Sequence, residues 1–166
     1  MTETNVSTIF VDCGINGEQP KNPAHLFFPV LNVNYLPVDW HPPKTNEFAL
    51  CFTSKHSFRS FIEKILLKNS YYKKNWKICN YICAVGKNTA LIVKNELPEW
   101  MNQNLNEIIY PKYENGLLPL LKQLNDILNP SCSLYIFTSQ IGISKKIVFD
   151  HRLELYYHRG CQYYFS

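Results

Sequence analysis

Residues 48–66 read Phe-Ala-Leu-Cys-Phe-Thr-Ser-Lys-His-Ser-Phe-Arg-Ser-Phe-Ile-Glu-Lys-Ile-Leu, and this stretch predicts a buried strand that passes directly into a helix. The unbroken apolar run at its start is typical of a strand that is buried on both faces, as in parallel sheets. A hydroxyl of Thr53 or Ser54 can cap the helix that follows. The helix carries an amphipathic stripe made of Phe58, Phe61, Ile62, Ile65 and Leu66. Its free backbone N–H groups then lie beyond the carboxyl end of the strand, where an anion can bind.

Short apolar runs alternate with longer helical patterns through the rest of the chain, which predicts βαβ units. Strands are expected at Phe48–Phe52, Ile78–Val85, Glu107–Tyr110, Leu134–Phe137 and Cys161–Phe165. Helices are expected after Ser54, after Gly86, over Leu117–Leu128 with Pro119 in the first turn, and over Ser144–Arg159 with Gly160 at its end. The predicted fold class is α/β, with about five parallel strands flanked by helices in a flavodoxin-like topology.

The first 47 residues lack this regular alternation. Val6–Val11 predicts a strand that ends in the turn Asp12-Cys13-Gly14, whereas Ile15–Ala24 carries two prolines and a glycine and is not expected to be helical. Leu26–Val33 is apolar, but Pro29 within it predicts an edge strand. An exposed edge there favours self-association. We therefore expect an N-terminal arm at 1–47 and an α/β domain at 48–166.

The composition indicates one globular unit and argues against several other classes of protein. The chain has 166 residues, of which 46% are hydrophobic and 18% charged, with a formal net charge of +4. The basic cluster at 68–77 could contact nucleic acid, but a solvated helix end is the favoured interpretation, so no nucleic-acid partner is expected. Because the sequence shows neither a signal peptide nor an apolar run long enough for a membrane span, we expect a cytoplasmic protein without a membrane partner. Six cysteines are then expected to be reduced.

Known catalytic and cofactor motifs are absent from the sequence. It contains no G-x-G-x-x-G fingerprint, no P-loop and no G-x-S-x-G elbow, so no cofactor is expected. Cys79 and Cys83 have a spacing that could suit a metal, but no second ligand pair follows, and no metal is expected. His56 follows Ser54 without an acidic partner, which favours a partly exposed helix residue over a nucleophilic triad. Glu114 could act as a general acid, but a solvated loop carboxylate is favoured, and no catalytic residue is identified.

Polar groups are expected to gather along one edge of the predicted sheet. Both Phe52 and Phe137 are followed by Thr-Ser, at Thr53-Ser54 and at Thr138-Ser139. Because right-handed crossovers place the carboxyl ends of parallel strands on the same edge, these hydroxyls should lie near Gly86–Thr89 and Tyr113–Gly116. Such an edge suits a ligand with several carboxylates or phosphates.

Four segments, in this order and spacing, resemble the uroporphyrinogen-III synthase family. They are Ala-Leu-Cys-Phe-Thr-Ser at 49–54 with Phe-Arg-Ser-Phe at 58–61, Ala-Val-Gly-Lys-Asn-Thr-Ala at 84–90, Gly-Leu-Leu-Pro-Leu-Leu at 116–121, and the strand before Thr138-Ser139. The resemblance extends from about Val6 to the C-terminus and is clearest from Phe48 to Ser139. It implies an enzyme that needs no cofactor and closes the linear tetrapyrrole hydroxymethylbilane into a ring, with inversion of the last pyrrole (ring D).

The resemblance also implies a set of substrate-binding residues. Thr53, Ser54, Gly86 and Thr89 match motif positions of the family, and Thr138 and Ser139 follow by their place at a strand end. For each of these residues, helix capping or turn formation is the alternative to substrate binding.

The family's two-domain organisation is only partly represented in this sequence. The family has two α/β domains with the substrate in the cleft between them, and its first domain uses the C-terminal third of the chain. This sequence ends at Ser166, so that part has no counterpart, and Tyr163 or Tyr164 could match the family's returning-strand tyrosine only with a gap. Two hypotheses remain open. The first is an active or partly active synthase, which a second chain or a second copy could complete, and the second is a non-catalytic truncated relative that acts as a binding or interaction module. An unrelated flavodoxin-like or receiver-like sheet is a third alternative.

Overall fold

A computed structural model of the chain describes residues 11–12, 26–27, 31–36, 40–43, 47–67, 79–102, 107–139 and 154–165. The chain divides into two compact units, one made of Met1–Asn34 with Tyr163–Ser166 and the other of Tyr35–Gln162. The expected division into 1–47 and 48–166 stays a prediction. The second unit contains the elements that carry the candidate site.

Strands alternate with helical segments between Phe48 and Ser139, and three short strands precede this part. The strands are β1 (Val11–Asp12), β2 (Leu26–Phe27), β3 (Leu31–Tyr35), β4 (Phe48–Phe52), β5 (Cys79–Ala84), β6 (Ile108–Ile109), β7 (Ser133–Ser139) and β8 (Glu154–Phe165). The helices are α1 (Lys55–Phe61), which continues as a π-helical turn at Ile62–Leu66, then α2 (Lys87–Glu96), α3 (Glu99–Asn102) and α4 (Leu117–Ile127). This order confirms the predicted α/β class.

A six-stranded sheet has the order β3-β8-β7-β4-β5-β6, and β1 and β2 form a separate parallel pair. The pairs β4–β5, β4–β7, β5–β6 and β7–β8 are all parallel. The predicted parallel sheet is therefore confirmed. Of the N-terminal predictions, the extended segment Leu26–Val33 includes β2 and the first residues of β3, which comes first in the strand order of the sheet. Residues 28–30, Ile15–Ala24 and most of Val6–Val11 lie outside the described residues.

The central strand β4 is buried along its whole length, as the apolar run predicts. Its alternate residues Phe48, Leu50 and Phe52 face an aromatic cluster with α1 and α2. Ala49 and Cys51 face a second cluster, which contains Leu120, Leu121 and Leu124 of α4. Because side chains alternate between the two faces of a strand, helices on both sides of the sheet account for this uninterrupted hydrophobicity.

Helix α1 begins with a reciprocal capping arrangement. The Ser57 backbone N–H donates to the Ser54 hydroxyl, and the Ser54 backbone N–H donates to the Ser57 hydroxyl, both at 3.1 Å. This geometry confirms Ser54 as the N-cap and satisfies donors that the first helical turn leaves free. At the other end of α1, Arg59 forms an ion pair with Glu96 of α2 at 2.7 Å.

The predicted helix Ser144–Arg159 is wrong over its last six residues, which belong to the long strand β8, while residues 144–153 lie outside the described part. The segment 155–158 is Leu-Tyr-Tyr-His, and aromatic residues fit a strand that pairs with the buried β7. Thr138 pairs with Arg159 and Ser139 with Cys161, so Gly160 is the extra residue of a β-bulge and not the end of a helix. The same pairing places Thr138 and Ser139 inside β7, whereas the sequence analysis placed them after the strand.

Candidate functional site

The ends of β4, β5 and β7 are joined by backbone hydrogen bonds at the carboxyl edge of the sheet. The Thr53 backbone N–H donates to the Phe137 carbonyl at 3.1 Å, and the Thr53 hydroxyl donates to the same oxygen at 3.2 Å. On the other side of β4, the Val85 N–H donates to the Phe52 carbonyl at 3.2 Å. Thr53 and Val85, the first residues beyond β4 and β5, are therefore each held against a neighbouring strand.

The loop after β6 packs against the turn after β5. The Gly116 N–H donates to the Val85 carbonyl at 2.7 Å. A Cβ atom on Gly86 would lie only 2.9 Å from Asn115 Cγ, so the absence of a side chain at Gly86 permits this approach. Gly116 has a φ of 140°, a conformation that other residues rarely adopt. The two segments 86–89 and 113–116 therefore meet at Gly86, as the parallel topology predicts.

The predicted site residues differ in what their side chains do. Thr53 and Ser54 both use their hydroxyls within the protein, in the bond to Phe137 and in the cap of α1. Gly86 is buried at the start of α2 and Thr89 is half-buried in its first turn. Thr138 is buried within β7, and Ser139 is its last residue. Thr53, Ser54 and Gly86 therefore take part in helix capping or turn formation. Substrate binding by all six residues stays a prediction.

Helix α2 differs from α1 at its N-terminus. Its N-cap is Gly86, and no side chain caps the helix with a hydrogen bond. The backbone N–H groups of its first turn are therefore without the side-chain acceptor that Ser54 supplies to α1. This terminus is the part of the edge that is best suited to an anionic group.

A groove of about 750 Å³ lies at the connection between β6 and α4. It is lined by residues 111–115 of the loop and by Leu118, Pro119, Lys122 and Gln123 of α4. Sequence reasoning identified the loop from Tyr113 but missed Lys112, Leu118 and Lys122. Leu118 and Lys122 are four residues apart on α4, a spacing that places them on one face of the helix. That spacing was the signal available in the sequence.

One solved structure, uroporphyrinogen-III synthetase from Helicobacter pylori, matches this chain with a TM-score of 0.58 and 17% identity. The match covers 96% of this chain and 63% of that chain. The chain shares the fold of uroporphyrinogen-III synthetase. The resemblance that the four sequence segments predict is thereby confirmed for the fold. No family model and no curated protein matches the sequence.

Within the synthetase-like fold, His56 is buried, with 5% of its surface exposed, so the expectation of a partly exposed helix histidine is wrong. Its Nδ1 lies 3.4 Å from the Tyr35 hydroxyl. The neighbouring Ser54 hydroxyl accepts a hydrogen bond from Ser57 in the helix cap. This arrangement favours a structural role for His56 over the activation of a nucleophile.

Four cysteines of the synthetase-like fold are free thiols in the core: Cys51, Cys79, Cys83 and Cys132. Burial raises the pKa of Cys51 from 9.0 to about 12, and burial also raises the pKa of Cys83 well above its ordinary value. A thiol that stays protonated is a poor nucleophile and a poor metal ligand. Within the described residues no cluster of three or more His, Cys, Asp or Glu side chains is arranged to hold a metal ion.

Glu114 is exposed in the loop after β6, in agreement with a solvated carboxylate. Among the described residues no helix is long and apolar enough to cross a membrane.

The chemistry that the carboxyl edge offers is hydrogen bonding from backbone N–H groups, together with the lysines of the groove.

Proposed function

We propose that this protein is a uroporphyrinogen-III synthase, a lyase that converts hydroxymethylbilane to uroporphyrinogen III with inversion of ring D. The observation that carries the proposal is the joined carboxyl edge of β4, β5 and β7, on a fold shared with uroporphyrinogen-III synthetase. Open α/β sheets bind ligands at this edge. The substrate is an anionic chain with many carboxylates, which an edge rich in backbone N–H groups suits.

The reaction needs a positioned substrate more than a reactive side chain. The terminal hydroxymethyl group loses its hydroxyl, which leaves as water, and the resulting azafulvene carbon forms a bond with the substituted carbon of ring D to give a spiro intermediate. The bond between that carbon and the bridge to ring C then breaks. The released bridge carbon joins the free α-carbon of ring D, which gives up its proton, and this inverts the ring and closes the macrocycle. Holding the chain in the folded conformation raises the rate of this step over closure without inversion.

We assign binding to the six residues of the edge with different roles. Gly86 and Thr89 bind at the first turn of α2, which no side chain caps, through its backbone N–H groups and the Thr89 hydroxyl. Thr53 and Ser54 shape the turn after β4, since their hydroxyls are used there. Thr138 and Ser139 border the edge at the end of β7. No cofactor is needed, because the reaction loses water without a change of oxidation state.

The second candidate is a non-catalytic relative that binds a tetrapyrrole without closing it. It is favoured by the fact that this chain spans about 63% of the length of the synthetase structure it matches. A second copy, or another chain, could supply the second wall of a cleft. The two candidates make different predictions for the product of the reaction.

Purified protein incubated with enzymatically generated hydroxymethylbilane tests the proposal. After oxidation, separation of the uroporphyrin isomers should show isomer III above the spontaneous isomer I. The rate should fall in a Thr89→Val variant and stay unchanged in Lys94→Gln, whose side chain is exposed at the far end of α2. Isomer I alone at every protein concentration would contradict catalysis by this chain. Light scattering at the same concentrations shows whether any activity follows the amount of dimer.

A further inference from the structure

The groove between the β6–α4 loop and α4 has the volume of a small-molecule site. Its volume of about 750 Å³ lies within the usual range for ligand pockets. Its lining includes two lysines, Lys112 and Lys122, and one acidic residue, Glu114. All three are exposed, and none forms an ion pair within the described part of the chain. The charge of the groove thus favours an anionic ligand.

The apolar part of the groove suits a flat ring. Tyr113 is 99% exposed, and Leu118 is 46% exposed on the facing helix. Pro111 and Pro119 complete this apolar lining. An aromatic side chain in this position can pack against a second ring. The ligand best matched to these walls is therefore an aromatic or pyrrolic body that carries carboxylates.

The groove is continuous with the carboxyl edge of the sheet. Asn115 lines the groove and at the same time contacts Gly86, at the uncapped start of α2. The backbone N–H of Gly116, the next residue, donates a hydrogen bond to the Val85 carbonyl. Asn115 thus connects the start of α2 with the groove.

We propose that this groove is a subsite for the tetrapyrrole, in which Lys112 and Lys122 bind carboxylates and Tyr113 packs on a pyrrole ring. The subsite rests on the proposed function for the identity of its ligand. Lys112 and Lys122 set the preference for a polycarboxylate. Tyr113 adds affinity for the ring whatever its substituents.

Fluorescence titration with uroporphyrin III, the stable oxidised form of the product, tests the subsite without catalysis. Each of Lys112→Gln and Lys122→Gln should weaken binding about fivefold, and the double variant roughly 20-fold, since each removes one exposed charge contact. Tyr113→Ala should weaken binding of both uroporphyrin and its uncharged methyl ester, whereas the lysine variants should weaken only the former. Lys94→Gln is the matched control for charge. Rising salt should reduce the difference between wild type and the double variant.

Protection from acetylation, measured by mass spectrometry, locates the ligand. Uroporphyrin should protect Lys112 and Lys122 and leave Lys94 reactive. A double variant that binds uroporphyrin as tightly as wild type, or equal protection of Lys94, overturns the subsite, and so does the absence of binding. These results are separable from the proposed function, which is judged by formation of isomer III. Groove-dependent binding without isomer III supports the subsite and rejects catalysis.

Discussion

Asn115 packs directly over Gly86, so that a Cβ atom on Gly86 would lie 2.9 Å from Asn115 Cγ. This contact joins the turn after β5 to the loop after β6, and the Gly116–Val85 hydrogen bond lies beside it. The glycine is needed here for space, because its own backbone is extended, with a φ of −178°. Its role therefore differs from that of Gly116, which has a φ of 140°.

Gly86→Ala should lower the free energy of unfolding by about 1–3 kcal/mol, since the added methyl group overlaps Asn115. Asn115→Ala in the same chain should recover much of that loss, because it removes the overlapping amide. Gly116→Ala should cost about 1–3 kcal/mol through its backbone conformation, and Asn115→Ala should not recover it. Urea unfolding of the single and double variants measures these values. Additive losses at Gly86 and Asn115 would argue against the contact.

Ser54→Ala should lower the free energy of unfolding by about 1 kcal/mol, because it removes the N-cap of α1. Ser54→Asp should retain most of the stability, since a carboxylate caps a helix and interacts well with its N-terminus. If the turn after β4 also borders an anionic substrate, Ser54→Asp should reduce isomer III formation while the protein stays folded. Thermal unfolding and the isomer assay on both variants separate capping from binding. Full activity in Ser54→Asp would leave only the capping role.

Phe61→Ala should destabilise the protein by about 3–5 kcal/mol. Phe61 is fully buried, with its ring centroid 5.6 Å from that of Trp40, 5.3 Å from that of Phe52 and 4.8 Å from that of Phe137. Trp40 lies in the N-terminal segment of the second unit, Phe52 in β4 and Phe137 in β7. The cavity that Phe61→Ala creates therefore affects the sheet and not only α1. Phe61→Leu, which keeps most of the volume, should cost less than half as much. Equal losses in the two variants would mean that contacts of the aromatic ring, and not the filled volume, provide the stabilisation.

Stability should fall as the pH rises above about 9, because of the buried thiols. Burial raises the pKa of Cys51 from 9.0 to about 12. Below pH 9 the thiol is protonated in both states; above it the unfolded chain ionises while the folded chain does not, which favours unfolding by about 1.4 kcal/mol per pH unit. Cys51→Ala should make the decline between about pH 8 and about pH 10 less steep. An unchanged slope in this variant would show that Cys51 ionises as readily in the folded protein.

Local patterns in the sequence were sufficient to predict the elements near the centre of the sheet. The apolar run 48–52, the cap Ser54 and the leucine stripe of α4 each predicted an element that the structure confirms. Each of these signals depends on neighbouring residues, so a single sequence reveals it. The expected gathering of strand ends also followed, because parallel topology alone determines on which edge they lie.

Three features required the tertiary structure. The segment 154–159 has a pattern compatible with a helix, and its pairing with β7 makes it a strand. The sequence predicted a partly exposed His56, whereas in the structure the residue is buried beside Tyr35. The groove at α4 brings Lys112 together with Lys122, ten positions later in the sequence, and neither residue stood out alone.

By itself the sequence determined the α/β class, the parallel sheet, the order of the central elements and the resemblance to uroporphyrinogen-III synthase. Hydrophobic periodicity and capping are local, and their energies act over a few residues. Only the tertiary structure decided the strand state of β8, the burial of His56, the contact of Gly86 with Asn115 and the shape of the groove. Those features arise from pairing and packing between segments far apart in the chain, and these long-range interactions override local preference.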